Sequence, residues 1–123
     1  MGAEKKRKKS RKKKGKAIPR HSVYVIRLDD EVLKSGRFLK ENPQYEDGKP
    51  CAYVGMTGLT PEERFAQHKA GIKSGKGFAH KYGKYLMRKQ FEHLNPMTFE
   101  EAVAQEPELA EKLRAKGWGV WSN

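Results

Sequence analysis

Two short apolar runs constrain this chain most: His21 to Leu28 (HSVYVIRL) and Cys51 to Gly55 (CAYVG). Both are rich in β-branched and aromatic types and apolar on both faces, which predicts buried strands. The whole chain has 123 residues, enough for one small domain with a modest core. Whatever it folds into is therefore built around these two strands.

The stretch between them, Asp29 to Pro50, is polar with apolar islands at Val32, Leu33, Phe38 and Leu39. Asn42-Pro43 and Asp47-Gly48 signal turns, so it reads as a long connection with one helical turn. After Gly58, Thr60-Pro61-Glu62-Glu63 opens a helix. Thr60 suits the N-cap, Pro61 the first helical position, and Glu63 completes a capping box. That helix is expected to reach Gly71, turning Phe65, Ala66 and Ile72 to the core. Ile72 to Phe78 reads as a flexible basic loop and Ala79 to Arg88 as helical. Phe91 to Pro96 fits either a helix end or a third short strand. Thr98-Phe99-Glu100-Glu101 is a second capping box, and Gly117 ends the helix that follows. Pro107 inside that helix predicts a kink, or a restart with Pro at the first position. Gly119-Val120-Trp121 suits a final edge strand. The order predicts an α+β fold, a small central antiparallel sheet of roughly three or four strands flanked by about three helices.

Charge divides the chain differently. Residues 1–16 hold ten Lys/Arg against one Glu, while the rest holds 17 against 14, within a net charge of +12. Residues 1–18 are therefore expected to be a disordered tail and 19–123 the folded domain. Lys5, Lys6, Arg7, Lys8, Lys9, Arg11, Lys12, Lys13 and Lys14 suit sequence-independent binding to a polyanion, with Lys73 and Lys76 of the basic loop adding to it. Nucleic acid is the partner this favours. A membrane surface is disfavoured, because no apolar side chain interrupts the run to insert. A solubility tail or a nuclear localisation signal is the plainer alternative. Cys51 is the single cysteine, which excludes an internal disulfide and favours a reducing compartment. No apolar stretch approaches a membrane span or a secretory signal. The expected location is intracellular: cytoplasm, nucleoid, or nucleus in a eukaryote. A monomer is assumed.

The chemistry-bearing residues are few. Arg64 and His68 are four apart on one expected helix and share a face. Arg offers a planar fork to phosphate oxygens, and His moves protons near neutral pH. Taken alone the pair fits an ordinary solvated face better than a site. Tyr24 and Tyr53 sit on the two strands, where tyrosines ordinarily pack. Glu106 is the odd residue in the stripe Ala102, Glu106, Leu109, Leu113. A carboxylate there needs a partner, and a bound cation is one candidate; a kink at Pro107 leaving it in water is another. His21, His68, His80 and His93 have no zinc-ligand spacing, and neither a P-loop nor a GxSxG elbow is present.

Together these residues resemble the GIY-YIG nuclease family. Val23-Tyr24 stands where the Ile-Tyr of its first motif falls, with Ser22 in place of the glycine. Tyr53-Val54-Gly55 is similar to the second motif with Val for Ile. Arg64 and His68 match the helix Arg and the His or Tyr one turn later. Glu101 to Glu106, followed by Leu109, resembles the segment ending in the metal-binding Glu. His80 matches a second active-site His of some members, and Asn123 a late Asn. The stretch between Tyr24 and Tyr53 is longer than the family's usual one. The resemblance covers roughly residues 21–123, and its strength lies in the order of the motifs rather than in any one.

The resemblance implies a metal-dependent endonuclease hydrolysing phosphodiester bonds, of DNA before RNA. Tyr24, Tyr53, Arg64, His68 and His80 would be catalytic, with Tyr24 activating water, His68 relaying its proton and Tyr53 orienting the site. Glu106 would hold Mg²⁺ (or Mn²⁺). Two other readings stay open: a non-catalytic nucleic-acid binder of the same fold, for structured RNA or ribosomes, and a protein-interaction module with a targeting tail.

Overall fold

The computed structural model describes residues 18–73 and 77–122. The tail lysines and arginines, Lys76 and Asn123 lie outside the described residues. Strand β1 (Ser22–Leu28) buries every side chain except Arg27, which is half-buried. Strand β2 (Cys51–Thr57) does nearly the same. The two pair antiparallel along their whole length, Ser22 opposite Thr57 and Leu28 opposite Cys51. The four-stranded sheet runs β3-β1-β2-β4, so these two strands are its centre. Runs apolar on both faces are what a doubly covered central pair requires.

The connection between them is more ordered than its polarity suggests. A 3₁₀ turn (Asp30–Lys34) is followed by helix α1 (Gly36–Lys40). The Asp29 carboxylate accepts from the Glu31 amide, and the Ser35 hydroxyl accepts from the Phe38 amide. Both caps satisfy amides that a short turn leaves open. Val32 and Phe38 are fully buried beneath them. Asn42, read as a turn residue, is buried and donates to the Phe38 carbonyl at 2.8 Å. Its Oδ1 accepts from the Val120 amide at 2.8 Å, which ties the connection to the last strand.

Helix α2 (Pro61–Ala70) starts where the capping box places it, with both reciprocal bonds present. Its core face differs from expectation. Ala66 is exposed and Ile72 is half-exposed, while His68 is the one residue of α2 that is fully buried. Phe65 is half-buried against the core. Helix α3 (Phe78–Tyr82) is short, and strand β3 (Gly83–Leu86) replaces the helix expected through Arg88. A Cβ on Gly83 would lie 2.4 Å from the Ala79 carbonyl oxygen. Gly83 thus lets the chain turn tightly out of α3, and the open edge of β1 then captures it, Tyr85 pairing with Arg27. Edge pairing outweighs a weak helical preference. Phe91 to Pro96 is neither helix end nor strand; two 3₁₀ turns (Arg88–Gln90 and Glu92–Leu94) span the region. Asn95 then pairs with both polar backbone groups of Val23, at 2.9 and 2.8 Å.

Helix α4 (Phe99–Arg114) is unbroken through Pro107. Pro107 and Val103 are both exposed, so the Val103 carbonyl that loses its helical donor faces water. Ala102, Glu106, Leu109, Ala110 and Leu113 form the buried stripe. Strand β4 (Gly119–Ser122) follows and pairs with β2 in parallel, Tyr53 beside Trp121. The class is α+β with four strands, but the sheet is mixed rather than antiparallel throughout. The crossover through α4 delivers β4 in the direction of β2, as a parallel pair requires. Among the described residues no helix is long and apolar enough to cross a membrane.

Candidate active site

The site begins with the β1–β2 register. Tyr24 lies opposite Gly55, so their side-chain positions share one face. A Cβ on Gly55 would sit 2.4 Å from the Tyr24 hydroxyl and 2.6 Å from its ring carbon. The hydroxyl end of the Tyr24 ring therefore fills the space that a side chain at Gly55 would take. Tyr53, two residues earlier on β2, is on the same face, its ring 6.3 Å from that of Tyr24.

Helix α2 closes the site from above. His68 is 1 % exposed, and its Nε2 lies 2.8 Å from the Tyr24 hydroxyl. The His68 ring stands edge-on to Tyr53 at 5.1 Å. Arg64 is one turn earlier, held by a 2.8 Å bond to the Gln67 amide oxygen. His80 on α3 donates from Nδ1 to the His68 carbonyl at 3.1 Å. A carbonyl can only accept, so Nδ1 of His80 carries a proton. Glu106, from α4, is buried and close enough to Tyr24 for its charge to be felt there.

Both members of the hydrogen-bonded pair are neutral near pH 7. Burial raises the Tyr24 hydroxyl well above its ordinary range, and Tyr53 pushes the same way. Arg64 pulls it back, by charge and by hydrogen bond, and Glu106 adds a smaller push upward. Burial lowers His68 to about 4, helped by the Arg64 charge. An uncharged imidazole beside an uncharged phenol can exchange a proton without isolating a charge for long.

Unfolded His68 takes a proton below about 6.5, and the folded protein does so only near 4. The stability from keeping His68 neutral is complete above the unfolded value and is lost as pH falls from about 6.5 to about 4. The full loss is on the order of 3 kcal/mol. Urea midpoints of the wild type should fall across that window, and those of His68→Gln should fall much less. Parallel curves for the two proteins would contradict the assignment.

A cavity of about 380 Å³ opens beside this cluster, lined by Tyr53, Arg64, His68, Lys73 and His80. Tyr24 touches two of these lining residues, His68 and Tyr53, and neither it nor Glu106 is itself part of the lining. Of the sequence-predicted residues, Tyr53, Arg64, His68, His80 and Lys73 thus meet at one cavity with Tyr24 against them, Glu106 is near Tyr24 but outside the lining, and Lys76 lies outside the described residues. Arg37, Phe78 and Trp121 complete the lining and were not singled out from the sequence. The sequence places Phe78 at the end of a basic loop and Arg37 in the connection between strands, where neither carries a motif. Trp121 becomes relevant only through the parallel pairing that sets it beside Tyr53.

Among the described residues no three His, Cys, Asp or Glu side chains gather as a metal cluster. A single carboxylate is nonetheless compatible with Mg²⁺, which is commonly held by one or two carboxylates, waters and substrate phosphate. Glu106, buried on α4 and near enough to Tyr24 for its charge to act there, is the carboxylate that would serve. No protein-family model matches this chain, and no curated protein or solved structure does either.

Proposed function

We propose that this chain is a divalent-metal-dependent endonuclease of the GIY-YIG type, hydrolysing phosphodiester bonds in nucleic acid, DNA before RNA. The observation that carries this reading is the 2.8 Å bond between Tyr24 and a His68 kept neutral by burial, with Arg64 one turn away. The Tyr24 oxygen takes a proton from the attacking water while its own passes to His68 Nε2. That transfer needs an unprotonated Nε2, and a value near 4 keeps it so at neutral pH. Arg64 presents its fork to the phosphate oxygens and meets the charge that builds on them. Tyr53 packs edge-on to His68 and keeps the imidazole in line with Tyr24. His80 braces the same turn through the His68 carbonyl. Glu106 is the residue that would hold Mg²⁺ or Mn²⁺. When bound, the ion polarises a phosphoryl oxygen as a Lewis acid. The basic tail and Lys73 supply salt-sensitive contacts to the backbone, which position the substrate and read no sequence.

The test is nicking of supercoiled plasmid by the full chain with Mg²⁺. Arg64→Ala should slow nicking about 10²- to 10³-fold while leaving the melting temperature nearly unchanged. Equal nicking by wild type and Arg64→Ala removes the assignment and leaves a binding protein of this fold.

A further inference from the structure

The cavity has a second wall that the hydrolytic step does not use. Arg37 Cζ lies 4.9 Å from the Trp121 ring centre and 5.2 Å from that of Phe78. The two rings meet edge to face at 4.7 Å. Phe78 is backed by the fully buried Phe38 at 5.8 Å, so the wall continues from the core. Trp121 pairs with Tyr53 across the parallel strands, which puts this wall directly beside the proton-transfer pair. Arg37, Arg64 and Lys73 line the same cavity, and among its described lining residues none is a carboxylate.

Resting on the phosphodiesterase reading, we propose that this wall stacks an unpaired nucleobase next to the scissile phosphate. The preferred substrate is then nucleic acid with an unpaired or extruded nucleotide at the cleavage point: a single strand, a flap or a distorted duplex. Three features favour this occupant. The cations suit a phosphate. Half-buried aromatic faces and a guanidinium plane suit the π-face of a base, whatever its identity. A base stacked inside a regular duplex cannot reach a wall recessed in a cavity.

The experiment uses the full chain with no divalent metal, so that nothing is cut. Oligonucleotides carry one 2-aminopurine, a base whose fluorescence is quenched by stacking, in an unpaired or a fully paired position. Salt is set high enough to weaken tail contacts. Wild type should quench the unpaired probe and leave the paired one unchanged. Trp121→Leu and Arg37→Gln should lose most of that quenching and bind the unpaired strand on the order of tenfold more weakly. Arg37 is exposed, so Arg37→Gln tests the wall without disturbing the core. Undiminished quenching by both variants, or equal quenching of paired and unpaired probes by wild type, overturns the proposal. Failure of the endonuclease reading shows separately, as base stacking by a wild type that does not nick plasmid when Mg²⁺ is restored.

Discussion

Gly55→Val should abolish cleavage, slowing it by at least about 10²-fold, and should destabilise the protein by about 1–3 kcal/mol. A side chain at this position enters the space of the Tyr24 ring, since even its Cβ would stand 2.4 Å from the hydroxyl oxygen. Tyr24 has little room to yield. It is 1 % exposed, its register opposite Gly55 is set by a ladder of seven residue pairs, and its hydroxyl is held by His68. The ring must therefore tilt, and the 2.8 Å bond to Nε2 is the first contact to break. Gly36→Ala is the control, because a Cβ there meets nothing within 4 Å. Nicking rates and thermal melts on the three proteins decide the matter. A Gly55→Val protein that cuts within about threefold of wild type would show that Tyr24 does not need its present position.

Glu106→Gln should remove activity by about 10³-fold with little change in melting temperature. The substitution keeps the shape of a buried side chain and removes its charge. The stripe around it, Ala102, Leu109, Ala110 and Leu113, is unaltered, so packing against the sheet persists. What is lost is the carboxylate that a hard divalent cation requires, since an amide oxygen is a far weaker ligand. The reading is a Mg²⁺ titration of nicking, repeated with Mn²⁺. Wild-type rates at wild-type metal concentrations would exclude Glu106 as the ligand. Because Pro107 lies on the exposed side of an unbroken helix, the substitution also tests a well-ordered position and not a frayed one.

The candidate site was unevenly legible in the residues. Thr60 and Glu63 were decisive, because a capping box sets the first helical residue and so the phase of everything after it. From that phase alone, Arg64 and His68 had to share a face. Which way the face pointed was less legible. Ala66 and Ile72 are more apolar than His68, yet His68 is the residue buried. Burial of an imidazole depends on a partner, and the partner is a hydroxyl 44 positions away in the chain. Glu106 was legible as an anomaly in its stripe, and the continuous helix through Pro107 keeps it there. Strand β3 was illegible because its pairing comes from the open edge of β1, not from its own composition.

The chain by itself determined the two central strands, the starts of α2 and α4, and the stripe that packs α4. Each of these follows from local periodicity or capping, interactions that span a few residues. The tertiary structure alone decided the direction of β4, the place of Trp121 beside Tyr53, and the meeting of Tyr24 with His68 over Gly55. Those depend on strand register and on helix docking. Register shifted by one residue would turn Tyr24 to the opposite face of the sheet.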